Sequence, residues 1–242
     1  YQKITNLIKP MRDWHNFIKS LLIFTYCSPK FINRKDNRKQ KIDVLDIACG
    51  RGGDNMKMYH ARVKNYVGID IDYHGINSST DGAISRYNTL KKKFPNFTNM
   101  TFINADSGTL LNVDDQIKVL GNNMNNENKN LIKKNFESNR KFDIVNCQMA
   151  FHYFLESDNK LANVCKNINN HLKPGGFVLL TLFDGDSIVD LLKDKQSYKG
   201  EYTNDEGASN VLFEIVKKYN ETTDFNKTGL PIDVHMSWIS NE

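Results

Sequence analysis

The chain has 242 residues, 33 Lys and Arg against 28 Asp and Glu, and a formal charge of +5. That length suits one sizeable core, and the mildly basic balance is compatible with a polyanionic partner without demanding one. No apolar run approaches the roughly 18 residues of a membrane span, and the four cysteines (Cys27, Cys49, Cys147, Cys165) have no metal-ligand spacing and no disulfide framework, so free thiols in a reducing compartment are expected.

The sequence begins at Tyr1 without Met and without a signal peptide, and reads as a domain excised from a longer protein. Residues 1–27 carry Ile4, Leu7 and Ile8, then Trp14, Phe17, Ile18, Leu21 and Leu22, at helical spacing. This predicts two helices, the second capped by Asp13, with Trp14 and Phe17 packed against a sheet. Residues 28–42 form a polar, basic connector, suited equally to solvent and to phosphates.

From residue 43 strand and helix alternate. Strands are expected at 43–47, 65–70, 100–104, 141–147 and 177–182, and helices at 53–62, 74–93 and 157–171. The 74–93 helix would bury Ile76, Ala83, Ile84, Tyr87 and Leu90. The Asn- and Lys-rich run 121–130 has a composition that cannot bury a core, and reads as a mobile surface insertion. The 157–171 helix stops at Leu172-Lys173-Pro174-Gly175-Gly176. The strand at 177–182 is continuously apolar, which predicts burial on both faces. Such alternation gives an α/β fold: a doubly wound, mostly parallel sheet with helices on both faces. Beyond Leu182 a short helix at 186–192 and segments at 211–216, 222–225 and 232–239 read as antiparallel strands or lid elements. The whole chain, 1–242, is expected to be one domain, with N-terminal helices and connector (1–41), a core (42–183) and lid elements (184–242).

The first strand runs into a glycine-rich turn, Ala48-Cys49-Gly50-Arg51-Gly52-Gly53-Asp54, which lets backbone approach a ligand closely. Asp70, at the carboxyl end of the second strand, is placed to accept hydrogen bonds from two ribose hydroxyls. A nicotinamide-binding turn wants G-x-G-x-x-G, but Ala48 stands where its first glycine belongs. Asp46, Asp70 and Asp106 are three carboxylates at the ends of successive strands. They suit a ligand with a cationic amino-acid end, a ribose and an adenine, as in S-adenosyl-methionine. Taken singly, Asp46 and Asp106 could instead be turn caps. Where the fourth strand meets the cleft, the chain has no Asn-Pro-Pro-Tyr tetrapeptide of base-amine methyltransferases; it offers Gln148, His152 and Tyr153.

These segments resemble the mRNA cap guanine-N7 methyltransferases. The likeness rests on Val44-Leu45-Asp46-Ile47-Ala48-Cys49-Gly50-Arg51-Gly52-Gly53-Asp54, Gly68-Ile69-Asp70-Ile71 and Phe102-Ile103-Asn104-Ala105-Asp106-Ser107. It is extended by Phe142-Asp143-Ile144-Val145-Asn146-Cys147-Gln148-Met149-Ala150-Phe151-His152-Tyr153, by the stop at Leu172–Gly176 and by Met11–Ser20. The run from Gly75 to Tyr87 further resembles the methyltransferase domain of large DNA-virus capping enzymes. The resemblance implies a Rossmann-like class I methyltransferase fold with S-adenosyl-methionine as cofactor. It implies cofactor contacts at Lys19, Ala48, Asp70, Asp106, Gln148 and Tyr153, beside Asp46 and Gly50 from the turn, and cap-guanosine contacts at His15, Asn16, Arg51 and His152. It also implies a capped mRNA 5′ end as partner, with other domains or subunits of a capping enzyme, and no membrane. The site of action would be the nucleus for a cellular protein, and the host cytoplasm or the virion for a viral one.

Two departures stand out. The family has Gly where this chain has Ala48, and its late-strand Pro-Glu pair is absent from Ile232-Asp233-Val234-His235-Met236, leaving Asp233 as the candidate substitute. Family members also continue beyond the equivalent of Glu242. Guanine N7 carries an unprotonated lone pair, so the chemistry needs positioning rather than a general base. His152 and Tyr153 are therefore expected to orient and stack, and Arg51 with the basic segment 34–41 to face the cap triphosphate. The rival readings are a catalytically weak methyltransferase-like binding module or regulatory subunit, a nicotinamide dehydrogenase, and a small-molecule or other RNA methyltransferase, against which only the His152-Tyr153 motif argues.

Overall fold

The computed structural model describes residues 2–27, 42–204, 206–220 and 229–237, with side chains from Leu7 onward in the first helix. Residues 28–41 of the basic connector, the segment 222–225, residues 238–239 and the side chain of Ile4 lie outside the described residues. The chain divides into two compact units: Phe17–Leu182, and Tyr1–Asn16 together with Phe183–Glu242.

In the larger unit five parallel strands, β1 (Asp43–Asp46), β2 (Asn65–Asp70), β3 (Asn99–Asn104), β4 (Phe142–Gln148) and β5 (Leu172–Thr181), pair in the order β3-β2-β1-β4-β5. The order reverses at β1, so the crevice at a topological switch point opens beyond the carboxyl ends of β1 and β4. Strand side chains alternate between the two faces. Val44, Tyr66, Phe102 and Ile144 face one hydrophobic layer with Ile23, Met58, Ile76 and Tyr87. Leu45, Val67, Ile103 and Val145 face the other with Leu111, Ile132, Phe136 and Val164. The first layer is built by the end of α1 (Gln2–Tyr26) and by α2 (Asn55–His60), α3 (Tyr73–Asn77) and α4 (Ala83–Lys93); the second by α5 (Val113–Leu120), α6 (Asn126–Ile132) and α7 (Asp158–His171). The doubly wound arrangement is as the sequence predicts.

Several local expectations are corrected. The N-terminal segment is one helix with Pro10 inside it, so Asp13 is no cap; its carboxylate bonds Lys9 one turn away. Trp14 and Phe17 are 61% and 56% exposed, so neither is a buried core residue. The 74–93 helix is two, α3 and α4. Ser78-Ser79-Thr80-Asp81-Gly82 interrupts it because Ser78 Oγ bonds the Asp81 carboxylate at 2.6 Å, a side-chain bond that competes with helix. Ile84 consequently sits on the exposed side of α4. Strand β5 lies at one edge of the sheet and is not buried on both faces: Leu179 is buried, whereas Val178 is exposed.

The largest correction concerns the Asn-rich run. It folds into a 3-10 turn and α6, followed by a π-turn (Lys133–Glu137), and it buries Met124, Asn128, Ile132 and Phe136. Asn128, Ile132 and Phe136 recur every fourth residue on one face of α6 and the π-turn, with Met124 just ahead of the helix. Composition misleads here because one of the four is an asparagine with a specific task. Asn128 Oδ1 accepts from Asn104 N (3.1 Å), and its Nδ2 donates to Asn104 O (2.7 Å), completing the outer edge of β3 as a neighbouring strand would. Asn128→Leu would strand a buried donor and acceptor, so a stability loss of about 2–4 kcal/mol is expected, read as a lower urea midpoint. An unchanged midpoint would refute this pairing as a source of stability.

In the smaller unit α8 (Gly185–Leu191) is capped by Asp184, which accepts from Ser187 N at 3.3 Å. Three antiparallel strands follow, β6 (Ser197–Thr203), β7 (Ser209–Lys217) and β8 (Ile232–Met236), ordered β6-β7-β8. Strand β6 has no counterpart among the sequence expectations, because Ser-Tyr-Lys-Gly-Glu-Tyr-Thr is mostly polar. Its Gly200 makes room for a ring: a Cβ there would run into the Phe213 ring. No helix among the described residues is long and apolar enough to cross a membrane.

Candidate functional site

The glycine turn leaves β1 and is tied back to β2 by Cys49 N donating to Ile69 O (3.0 Å). Gly50 (φ +51°) and Gly52 (φ +70°) occupy the left-handed region, which the turn needs and side chains resist. A Cβ on Gly50 or Gly53 would meet nothing within 4 Å, so this stretch of backbone faces open space. Gly50 N donates to Asp70 Oδ2 (2.7 Å), and Asp72 N donates to Asp70 Oδ1 (2.9 Å). Each oxygen of Asp70 retains a lone pair for a hydroxyl. Burial raises the Asp70 carboxyl above the usual carboxylate range. Asn104 Nδ2 bonds the carbonyls of Asp70 and Ile71, both at 2.9 Å, and so fixes the end of β2.

Asp46 does not line the open space. It is 3% exposed and accepts from Tyr66 Oη (2.9 Å), Asn146 Nδ2 (2.8 Å) and Ala48 N (3.4 Å). It shares parity with Val44, which turns it into the layer beneath the turn. Burial, then the nearby Asp54 carboxylate, push its carboxyl up to about 7. A cation arriving above it would oppose both effects. Asp54 is itself held by Lys19 (2.9 Å) and Lys57 (2.8 Å), so Lys19 is committed to the end of the turn.

Asp106 caps its own turn, accepting from Gly108 N and Thr109 Oγ1, each at 2.8 Å. Gln148 is buried, donating to Asn146 Oδ1 (2.9 Å) and accepting from Thr181 Oγ1 (3.0 Å). Ala48 is half-buried against the second layer. Arg51 is exposed and pairs with Asp81, whose carboxyl is held below the usual range by Ser78 first and then by Arg51. Beyond β4, Met149 has a left-handed backbone (φ +60°) and leads into a 3-10 segment (Phe151–Glu156) that carries His152 and Tyr153. Their rings lie 4.4 Å apart, Tyr153 is 68% exposed, and burial lowers the pKa of half-buried His152.

The larger unit thus gathers Lys19, Asp46, Ala48, Gly50, Arg51, Asp70, Asp106, Gln148, His152 and Tyr153 around the carboxyl edge of its sheet. His15, Asn16 and Asp233 belong to the smaller unit. There Asp233 pairs with Lys218 at 2.7 Å. Sequence reasoning missed Tyr66, Asn104, Asn146 and Thr181. Parity within β4 is the signal that could have found Asn146, since it shares a face with Gln148.

The residues fit a nucleoside bearing a cationic tail: a backbone cradle, a carboxylate with spare lone pairs for a ribose, and a buried carboxylate whose charge a cation would favour. Among the described residues no group of three or more His, Cys, Asp or Glu side chains could hold a metal.

The family model described as an mRNA (guanine-N(7))-methyltransferase domain matches residues 2–227. The chain is 45% identical over 241 residues to a probable mRNA-capping enzyme of Acanthamoeba polyphaga mimivirus, covering 100% of this chain and 19% of that protein. It is 31% identical over 211 residues to an mRNA cap guanine-N(7) methyltransferase of Caenorhabditis briggsae, covering 87% of this chain and 47% of the relative. With one from Drosophila melanogaster it shares 30% identity over 188 residues, 76% of this chain and 38% of that one. The chain therefore spans less than half the length of each of these relatives.

Proposed function

The chain belongs to the mRNA (guanine-N(7))-methyltransferase family, and on that footing we propose that it transfers a methyl group from S-adenosyl-methionine to N7 of the guanosine cap of mRNA, converting GpppRNA to m7GpppRNA. The observation that carries the reading is the glycine turn: left-handed at Gly50, open to solvent, and braced by Asp70. We read residues 1–242 as one methyltransferase domain, working beside the further domains of a capping enzyme. For a viral source, as with the mimivirus relative, its place is the host cytoplasm or the virion; for a cellular source, the nucleus.

S-adenosyl-methionine supplies a methyl group carried on a positively charged sulfur. The chain's own part is to hold two partners in line, a positioning task. Asp70 receives the ribose hydroxyls on its free lone pairs, and Gly50 and Gly53 let the cofactor lie against backbone. Asp46, with Asn146 and Gln148 beneath the turn, presents negative potential under the cationic end, with Lys19 and Ala48 bordering it and Asp106 toward the adenine. Tyr153 and His152 stack and orient the guanine. His152, its pKa lowered by burial, is neutral at pH 7 and adds no cation beside a purine that gains positive charge. Arg51 exchanges Asp81 for the cap triphosphate.

The test is labelled methyl transfer to GpppRNA, with digestion to locate the methyl group. His152→Ala is expected to lower transfer by about 10- to 100-fold while S-adenosyl-methionine affinity changes less than about twofold, the loss of one or two transition-state contacts. Equal losses in both would sink the cap-side role of His152. Cofactor binding without any transfer would favour a regulatory module instead.

A further inference from the structure

Alternation along the strands puts Asp46, Tyr66, Asn146, Gln148 and Thr181 on one face of the sheet. The register sets Asp46 beside Asn146 and Gln148 beside Thr181. A carboxylate only accepts hydrogen bonds, so every bond leading away from Asp46 has its direction forced. Asn146 Nδ2 donates to Asp46 Oδ2 (2.8 Å), which leaves Asn146 Oδ1 to accept from Gln148 Nε2 (2.9 Å). Gln148 Oε1 then accepts from the Thr181 hydroxyl (3.0 Å), and Met149 N donates both to Thr181 Oγ1 (2.8 Å) and to the Thr181 carbonyl (2.9 Å), so the side-chain run reaches one of its two acceptors. The result is a head-to-tail run of donors from the backbone of Met149 to the Asp46 carboxylate, in which each bond polarises the next. At its far end Met149 is held left-handed without being a glycine, a conformation that costs energy and must be maintained.

We propose that Asn146, Gln148 and Thr181 form a positioning relay through which the charge on Asp46 fixes the backbone of Met149, and with it the His152–Tyr153 segment, coupling the cofactor floor to the guanine side of the site. The proposal rests on the methyltransferase reading for what binds above Asp46, but the relay itself is testable without methyl transfer. Other groups facing Asp46 are the Asp54 carboxylate, itself paired with Lys19 and Lys57, the Tyr66 phenol, and the Cys27, Cys49 and Cys147 thiols, of which Cys49 and Cys147 also feel the Asp70 carboxylate. Burial raises the phenol and all three thiols, Cys27 to about 12, so none of these four titrates between pH 5 and 9.

The experiment tracks the Met149 amide proton of the whole chain by NMR from pH 5 to 9, with and without S-adenosyl-methionine. In the wild type it should titrate with Asp46 and shift further when the cofactor binds. Asn146→Leu, which leaves Met149's own partners untouched, should abolish the titration. Thr181→Val, an isostere without the hydroxyl, should reduce it by more than half, and Thr181→Ser should restore it. Thr181→Val should also lower kcat for capped RNA about fivefold, roughly the worth of one hydrogen bond, with cofactor affinity within about twofold of wild type. A flat Met149 resonance in the wild type, or an undiminished titration in a folded Asn146→Leu or Thr181→Val protein, overturns the relay. Titration without any methyl transfer would leave the relay standing and remove the methyltransferase reading.

Discussion

Asp70→Ala is expected to weaken S-adenosyl-methionine binding by about a hundredfold or more, with little change in the fold. Two charge-assisted hydrogen bonds to ribose hydroxyls, at about 1.5–3 kcal/mol each, account for that size. A second loss adds to it, since Asp70 also receives Gly50 N and Asp72 N and so holds the turn against the end of β2. Asp70→Asn separates the two contributions: it keeps one acceptor and the approximate shape but removes the charge, and an intermediate loss is expected. Titration calorimetry reads both. Wild-type cofactor affinity in Asp70→Ala would refute the ribose assignment and, with it, the orientation of everything else bound at this edge.

The second large effect is one of pH. The folded Asp46 carboxyl titrates near 7, above the ordinary aspartate value of 3.8, so the folded state binds its proton more tightly than the unfolded state does. Its contribution to stability is therefore full below about pH 4 and is lost as pH rises through about 7, a change on the order of 4 kcal/mol. Asp46→Asn removes this dependence. The difference in unfolding free energy between wild type and variant should fall between pH 5 and pH 8, and a constant difference would exclude the shift. Cofactor binding runs the other way. A cation above Asp46 favours the charged carboxylate, so binding expels its proton, and affinity should rise from pH 6 to pH 7.5. Asp70 is raised with the same sign, which is why the variant comparison is needed rather than the wild-type profile alone.

The five strands of the sheet were legible because each has an apolar centre between turn signals, although β5 begins at Leu172, inside the segment read as a stop, and the glycine turn was legible because its residues do one thing. The failures have a common cause. Polar residues were read as surface, but Asn128 spends its amide on a backbone edge, and β6 uses a half-polar face around Tyr198 and Gly200. The three strand-end acids were visible as a set, yet not which way each turns. Asp70 supports the turn with lone pairs to spare, Asp46 faces the layer beneath, and Asp106 bonds its own loop. Parity gives the face of a side chain, but only strand register, which the sequence does not state, brings Asp46 to Asn146. Asn104 and Thr181 escaped for the same reason: each acts on a neighbouring strand.

The amide of Asn128 has a meaning for solution behaviour as well. Left bare, the outer rim of β3 would be a row of donors and acceptors, the kind of surface on which a second molecule adds a strand and aggregation begins. Asn128 occupies the rung at Asn104, and the helical segment carrying it sits where an incoming strand would lie. A stretch whose composition suggests dispensable padding is thereby a guard against self-association. Shortening it to obtain a more compact protein would yield one that precipitates.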